Sequence, residues 1–224
     1  MENNALQPRP TDIKQDEMLA ALGFMAGFPR PWWIAGGWAL DLWVADTPSR
    51  IHEDLEFGIL RADQDALREH LAEGWHVFKS IIGRDGTGMW APWLSGEWLQ
   101  QPNFQVLAQR SHAEAEAKAG LPSEIEFFLN DTVDGEWVFR RDTSVRVALG
   151  RLTVTASVGV QVLAPEVQLL HKAKSHRPKD EHDFGRVLPH LDRTRRVWLR
   201  TQLSRHLPGD PWLVPLEASL MSHH

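Results

Sequence analysis

Apolar residues at Met18, Leu19, Leu22 and Met25 recur at helical spacing, so a helix is expected from an N-cap at Asp12 to the stop at Gly27 and Pro29. Residues 31–35 (PWWIA) form a short apolar run and predict a buried strand. Gly36-Gly37 punctuates that run, and residues 38–45 (WALDLWVA) predict a helix that follows at once. Residues 51–60 (IHEDLEFGIL) alternate charged and apolar positions as a strand does, with Ile51, Leu55, Phe57 and Ile59 on the apolar face. An amphipathic helix is expected over 62–73, closed by Gly74, and a further strand over 75–82. Residues 124–129 (EIEFFL) and 136–141 (EWVFRR), joined by a turn, predict a hairpin. Residues 152–163 are β-rich, and Pro165 opens a helix at the first-turn position that proline favours. Two more helical stretches complete the tail. The expected organisation is an α/β core over 12–163, a helical region over 164–207, and loose termini at 1–11 and 208–224.

Composition narrows the classes. Apolar residues are 42% and charged residues 24% of 224, which excludes wholesale disorder. The absence of cysteine excludes a disulfide scaffold, a Cys-ligated metal and a cysteine nucleophile. A net charge of −6, from 24 basic and 30 acidic residues, weighs against a general grip on nucleic acid. No run has the length of a membrane span, and the amino-terminal residues lack a signal-peptide core. A soluble, cytoplasmic chain is the expectation.

Three places carry candidate chemistry. Gly36 and Gly37, between a strand and a helix, let a backbone approach a ligand closely where helix N–H groups favour phosphate. A tight turn with no ligand uses the same two residues. Asp54 and Glu56, two apart on a strand, share a face and offer hard oxygens suited to Mg²⁺; a solvated strand face is the plain alternative. Glu124 and Glu126 repeat the arrangement, Glu124 at the edge of its apolar run and Glu126 deeper in it.

In combination these residues resemble the nucleotidyltransferase superfamily that includes DNA polymerase β. The likeness is to its small bacterial members related to aminoglycoside and lincosamide adenylyltransferases. The matching stretches are IAGGWALD (34–41) and RIHEDLE (50–56), with weaker likeness at 136–142 and 163–184. Two departures stand out: Trp38 follows the second glycine, and Glu56 stands where Asp is commoner. The resemblance implies a mixed-sheet α/β (α+β) nucleotidyltransferase core followed by a helical region. It also implies Mg²⁺-dependent transfer of a nucleoside monophosphate, AMP from ATP or from another nucleoside triphosphate, to a hydroxyl of a small acceptor. Asp54, Glu56 and Glu126 would be the catalytic carboxylates and hold Mg²⁺ in a two-metal site. Glu124 is the alternative third carboxylate. Gly36, Gly37, Arg50, His52 and Lys172 would contact the nucleotide. Asp180, Asp183 and Lys179 are expected in helix-packing ion pairs; the irregular, aromatic stretch 90–98 is read from its composition as lining the acceptor pocket or, equally, as a surface lid or core patch under a long loop. Two other readings share the fold: a toxin-like enzyme modifying RNA or protein, and an inactive nucleotide-binding module.

Overall fold

In a computed structural model of the chain, the described residues are 12–45, 47–82, 88–111 and 120–221. The arm at 1–11 lies outside them. The fold is mixed α/β, with an eight-stranded mixed sheet, a three-stranded sheet and helices. By contact the chain divides into two compact units, Met1–Trp32 with Pro48–Leu129, and Trp33–Thr47 with Asn130–His224.

The first unit holds helix α1 (Gln15–Met25), α3 (Gln64–His70) and strands β2 (Glu56–Leu60), β3 (His76–Ile82), β4 (Gly88–Pro92), β5 (Gln105–Gln109) and β6 (Glu124–Asn130). Helix α1 starts three residues after Asp12. The Ile13 N–H donates to the His52 carbonyl at 2.6 Å, which keeps that stretch extended, and Glu17 reaches back to the Lys14 N–H at 2.9 Å. Met18, Ala21, Leu22 and Met25 face the core, while Leu19 is half exposed, so the apolar stripe is narrower than its spacing suggested. The strands run in the order β2-β6-β5-β3-β4. The β6 strand pairs antiparallel with β5, setting Glu126 opposite Leu107 and Glu124 opposite Gln109. That pairing corrects the expected hairpin: residues 124–129 find their partner earlier in the chain. The apolar face of 51–60 is also shorter than expected, because Ile51 is 64% exposed and precedes the strand, whereas Leu55, Phe57 and Ile59 are buried.

In the second unit, β1 (Trp32–Ala35) leads directly into α2 (Gly36–Val44). Strand β1 runs parallel to β11 (Gln161–Leu163), which pairs antiparallel with β10 (Thr153–Thr155). The expected turn after residue 130 does make a hairpin, but between β7 (Thr132–Val133) and β8 (Glu136–Val138), with β9 (Arg146–Ala148) as the third strand. A helical turn, α4 (Leu149–Leu152), precedes β10. Helix α5 (Pro165–Lys172) opens on its proline as expected. Helix α6 (Pro178–Val187) is followed by α7 (Arg193–His206), capped by Asp192, whose carboxylate accepts from the Arg195 N–H at 2.8 Å. The stretch after residue 208, expected to be loose, carries α8 (Leu213–Met221). Trp212 anchors it, stacked on Phe184 of α6 at 4.2 Å. Among the described residues no helix is long and apolar enough to cross a membrane.

Candidate active site

A small, shallow recess in the first unit is lined by Ile13, Glu53, Asp54, Leu55, Glu124 and Glu126. The reason these residues meet is backbone pairing. The Glu126 N–H donates to the Leu55 carbonyl at 2.9 Å, which sets the segment leading into β2 beside β6. Asp54 is half-buried; Glu124 and Glu126 are buried, side by side on one face of β6. Both glutamates accept from amides of β5. Gln109 Nε2 lies 2.6 Å from Glu124 Oε1, and Gln105 Nε2 donates to Glu126 Oε2.

Of the carboxylates named from sequence, the recess thus collects Asp54 and Glu126, and Glu124 with them. Glu56, the first residue of β2 and half-buried, is not among its lining residues. Glu53 lines it and was missed; on a strand running from residue 51 it would have faced away from Asp54. Gln105 and Gln109 were missed too. The spacing Gln-x-x-x-Gln in 105–109 puts both on one face, but only the β5–β6 register shows that this face carries the glutamates.

The donor set suits a hard divalent cation in its chemistry, since every polar side chain named in its lining is a carboxylate. Among the described residues no group of three or more His, Asp or Glu side chains stands ready to hold a metal ion. Mg²⁺ does not require one, because it is commonly held by one or two carboxylates, with substrate phosphates and water completing the octahedron.

The remaining predicted residues have other surroundings. Gly36 adopts φ 70°, a left-handed conformation that glycine takes without strain, and its N–H donates to Gln168 Oε1 of α5 at 2.8 Å. Gly37 is buried in the first turn of α2. Arg50 donates to the carbonyl of its neighbour Ile51 at 2.9 Å, and His52 is buried with its carbonyl receiving the Ile13 N–H. Lys172, expected at a phosphate, has carboxylate partners here. It is 8% exposed, 2.8 Å from Asp183 and 3.3 Å from Asp180, so its charge is answered inside the second unit. Asp180 takes the helix-packing role expected of it, bonded also to Arg177 Nε at 2.8 Å. Burial raises the affinity of its carboxyl for a proton, but the Arg177 hydrogen bond and the Lys172 charge outweigh burial and hold its pKa below the ordinary value. No tryptophan lines the recess. Instead Trp93 is buried under Arg68, whose guanidinium lies 3.8 Å from the ring centroid and donates to the Glu97 carbonyl at 2.8 Å.

No family model matches the chain, and no curated protein sequence matches it. Solved structures do. The lincosamide antibiotic adenylyltransferase LnuA, in its lincomycin-bound crystal structure, matches with a TM-score of 0.52 at 12% identity, over 79% of this chain and 97% of its own. The antibiotic-resistance factor ANT(2'')-Ia, in its solution structure, matches with a TM-score of 0.53 at 14% identity, over 93% of this chain and 97% of its own. The likeness spans nearly the whole of both neighbours, and it is a likeness of fold: this chain has the mixed α/β fold of these adenylyltransferases.

Proposed function

We propose that the protein is a nucleotidyltransferase that moves a nucleoside monophosphate, AMP from ATP, to a hydroxyl of a small-molecule acceptor. The observation that carries this reading is the recess where Asp54 meets Glu126 and Glu124, within a fold shared with adenylyltransferases. Fold alone does not assign an activity, so the carboxylates bear the weight of the reading. Asp54 with Glu126, or with Glu124 in its place, would hold Mg²⁺ as a two-carboxylate set completed by substrate phosphates and water, and Glu56 remains a candidate outside the recess lining. The cation, when bound, neutralises triphosphate charge and supports both the attacking and the leaving oxygen. Glu126 would accept the proton of the acceptor hydroxyl; as the new oxygen–phosphorus bond forms, the bond to the leaving pyrophosphate breaks. Gly36, Gly37, Arg50 and His52 remain candidates for nucleotide contact. Lys172 is withdrawn from that set, since drawing a buried ammonium from two carboxylates carries a large penalty.

Incubation with ATP and Mg²⁺ against a panel of lincosamides, aminoglycosides and other polyols, followed by pyrophosphate release, tests the proposal. The acceptor classes are those named for LnuA and its lincomycin and, more broadly, for antibiotic resistance. Turnover that disappears in Asp54→Asn, with the circular dichroism unchanged, is the expected result. Turnover retained in Asp54→Asn and in Glu126→Gln would remove the recess from the mechanism. An ATP-dependent rise in melting temperature without turnover on any acceptor would favour the inactive binding module.

A further inference from the structure

In the second unit, the loop between β8 and β9 is pinned by its own backbone and gathers basic side chains. The Phe139 N–H donates to the Val145 carbonyl and the Val145 N–H to the Asp142 carbonyl, both at 3.0 Å. Phe139 is fully buried against the rings of His171 on α5 and His206 on α7, at centroid distances of 4.9 and 5.1 Å. Arg141 lies over that ring, 5.8 Å from its centroid, and its Nη1 donates to the His171 carbonyl in the last turn of α5 at 2.8 Å. A cation at a helix C-terminus is a structural device, but this one uses a single donor of the guanidinium's five. The side chain is half-buried, so part of it stays open to solvent.

Other half-buried arginines of this unit take carboxylates, Arg195 with Glu166 at 2.6 Å and Arg186 with Asp41. Among the described residues no carboxylate pairs with Arg141. Asp142, next in the chain, turns elsewhere: the Ser144 N–H donates to its Oδ1 at 3.0 Å, and His206 Nδ1 lies 3.9 Å from its Oδ2. Burial first, then the charge of Arg140, push the Arg141 guanidinium down to about 10. Burial, then Arg141 and Arg140, also push the His171 imidazole well below its ordinary value. The local field is positive, and the exposed Arg140 and Arg205 extend it to the surface.

We propose that Arg141, with Arg140 and Arg205 at its rim, binds a phosphate-bearing anion. The planar guanidinium offers a two-donor fork that matches phosphate oxygens, and a multiply charged oxyanion answers more than one cation at once. The site needs no metal and does not rest on the carboxylate recess.

Inorganic pyrophosphate is the probe, titrated calorimetrically into the full chain in EDTA, where no metal can bridge it to the carboxylates. Saturable binding by wild type is expected, weakened about tenfold or more in Arg141→Met. Arg141→Lys, which keeps the charge and loses the fork, should retain part of it. A helix cap alone predicts a lower melting temperature in Arg141→Met with pyrophosphate affinity within about twofold of wild type, and that result overturns the site. Should Arg141→Met lose its circular dichroism, the double variant Arg140→Gln, Arg205→Gln decides, since both side chains are exposed. It is expected to weaken binding about threefold or more, and unchanged affinity overturns the site. Asp54→Asn should not weaken binding; a loss there would place the anion at the recess and overturn the assignment to Arg141. ATP that competes with pyrophosphate supports the site with a nucleotide's phosphates as occupant, and pyrophosphate bound without such competition supports it with a free oxyanion. No saturable binding by wild type overturns the site while leaving the transferase reading, which turnover tests separately.

Discussion

Replacing Lys172 by Met separates a structural ammonium from a phosphate-binding one. The side chain is nearly fully buried, and its partners Asp180 and Asp183 are 0% and 3% exposed. At 3.3 and 2.8 Å, and an effective dielectric constant of about 20, the two attractions are about 5 and 6 kcal/mol. Desolvation of three charges and the repulsion between two carboxylates one turn apart on α6 offset most of that gain, so the intact cluster contributes little net stability. The variant is a different case. Methionine fills the space of the lysine stem, but the desolvation of both aspartates persists after the attraction is gone. Breaking a buried pair in this way typically costs about 3–5 kcal/mol.

For a chain of this length each kcal/mol lowers the melting temperature by about 2–4 °C, which gives a fall of roughly 6–20 °C. The assay is thermal unfolding by circular dichroism at neutral pH, paired with ATP binding. Lys172→Met combined with Asp183→Asn should recover part of the loss, because the double variant buries one fewer carboxylate charge. The sign with pH follows from Asp180, whose folded pKa lies below its unfolded value. Its stabilisation is present above the unfolded pKa of about 3.9 and is lost as the pH falls through the lower folded one. The gap between wild type and Lys172→Met should therefore narrow in acid. A melting temperature within 2 °C of wild type together with lost ATP binding would refute the structural reading and return Lys172 to the nucleotide.

Gly36→Ala should cost about 1–2 kcal/mol, because φ 70° forces a side chain into the left-handed region; urea unfolding measures it, and no loss would show that the turn can relax. His176 places Nδ1 2.6 Å from Glu181 and Nε2 3.0 Å from Asp210, so both ring nitrogens donate and the imidazolium is favoured. Burial opposes the charge, but these two hydrogen bonds outweigh it and raise the pKa. The stability it supplies is complete below the unfolded pKa of about 6.5 and is lost as the pH rises through the higher folded value. Melting temperatures between pH 6 and 9 should fall in wild type and stay flatter in His176→Gln; parallel curves would count against the clamp.

What the sequence made legible follows the range of each interaction. The strand, glycine and helix succession at residues 32–44 is local, written in an apolar run and a left-handed turn, and it appears where expected. Pro165 at the start of α5 is equally local. The failures are matters of partner choice. Residues 124–129 read as a strand and are one, but alternation says nothing of which strand lies beside it, so the hairpin was assigned to the wrong neighbour. The partners of Lys172 are hidden for the same reason: its position on a helix is visible, while the two aspartates that hold it lie on the next helix.

The recess shows both sides of this limit. Asp54 and Glu126 could be named in advance because each belongs to a short strand pattern with its own chemistry. Their meeting depends on the long-range pairing of β2 with β6, continued by the Glu126 N–H to Leu55 carbonyl bond, that no local pattern encodes. The same register brings Gln105 and Gln109 behind the glutamates. A one-residue slip of β5 against β6 would turn that strand face over and put Val106 and Ala108, both buried now, where the amides stand. The packing of Val106 and Ala108 in the core therefore fixes the register, and the register fixes the polar face. The apolar half of QVLAQ is in this sense what places the recess's hydrogen-bond donors, although neither residue touches a carboxylate's chemistry.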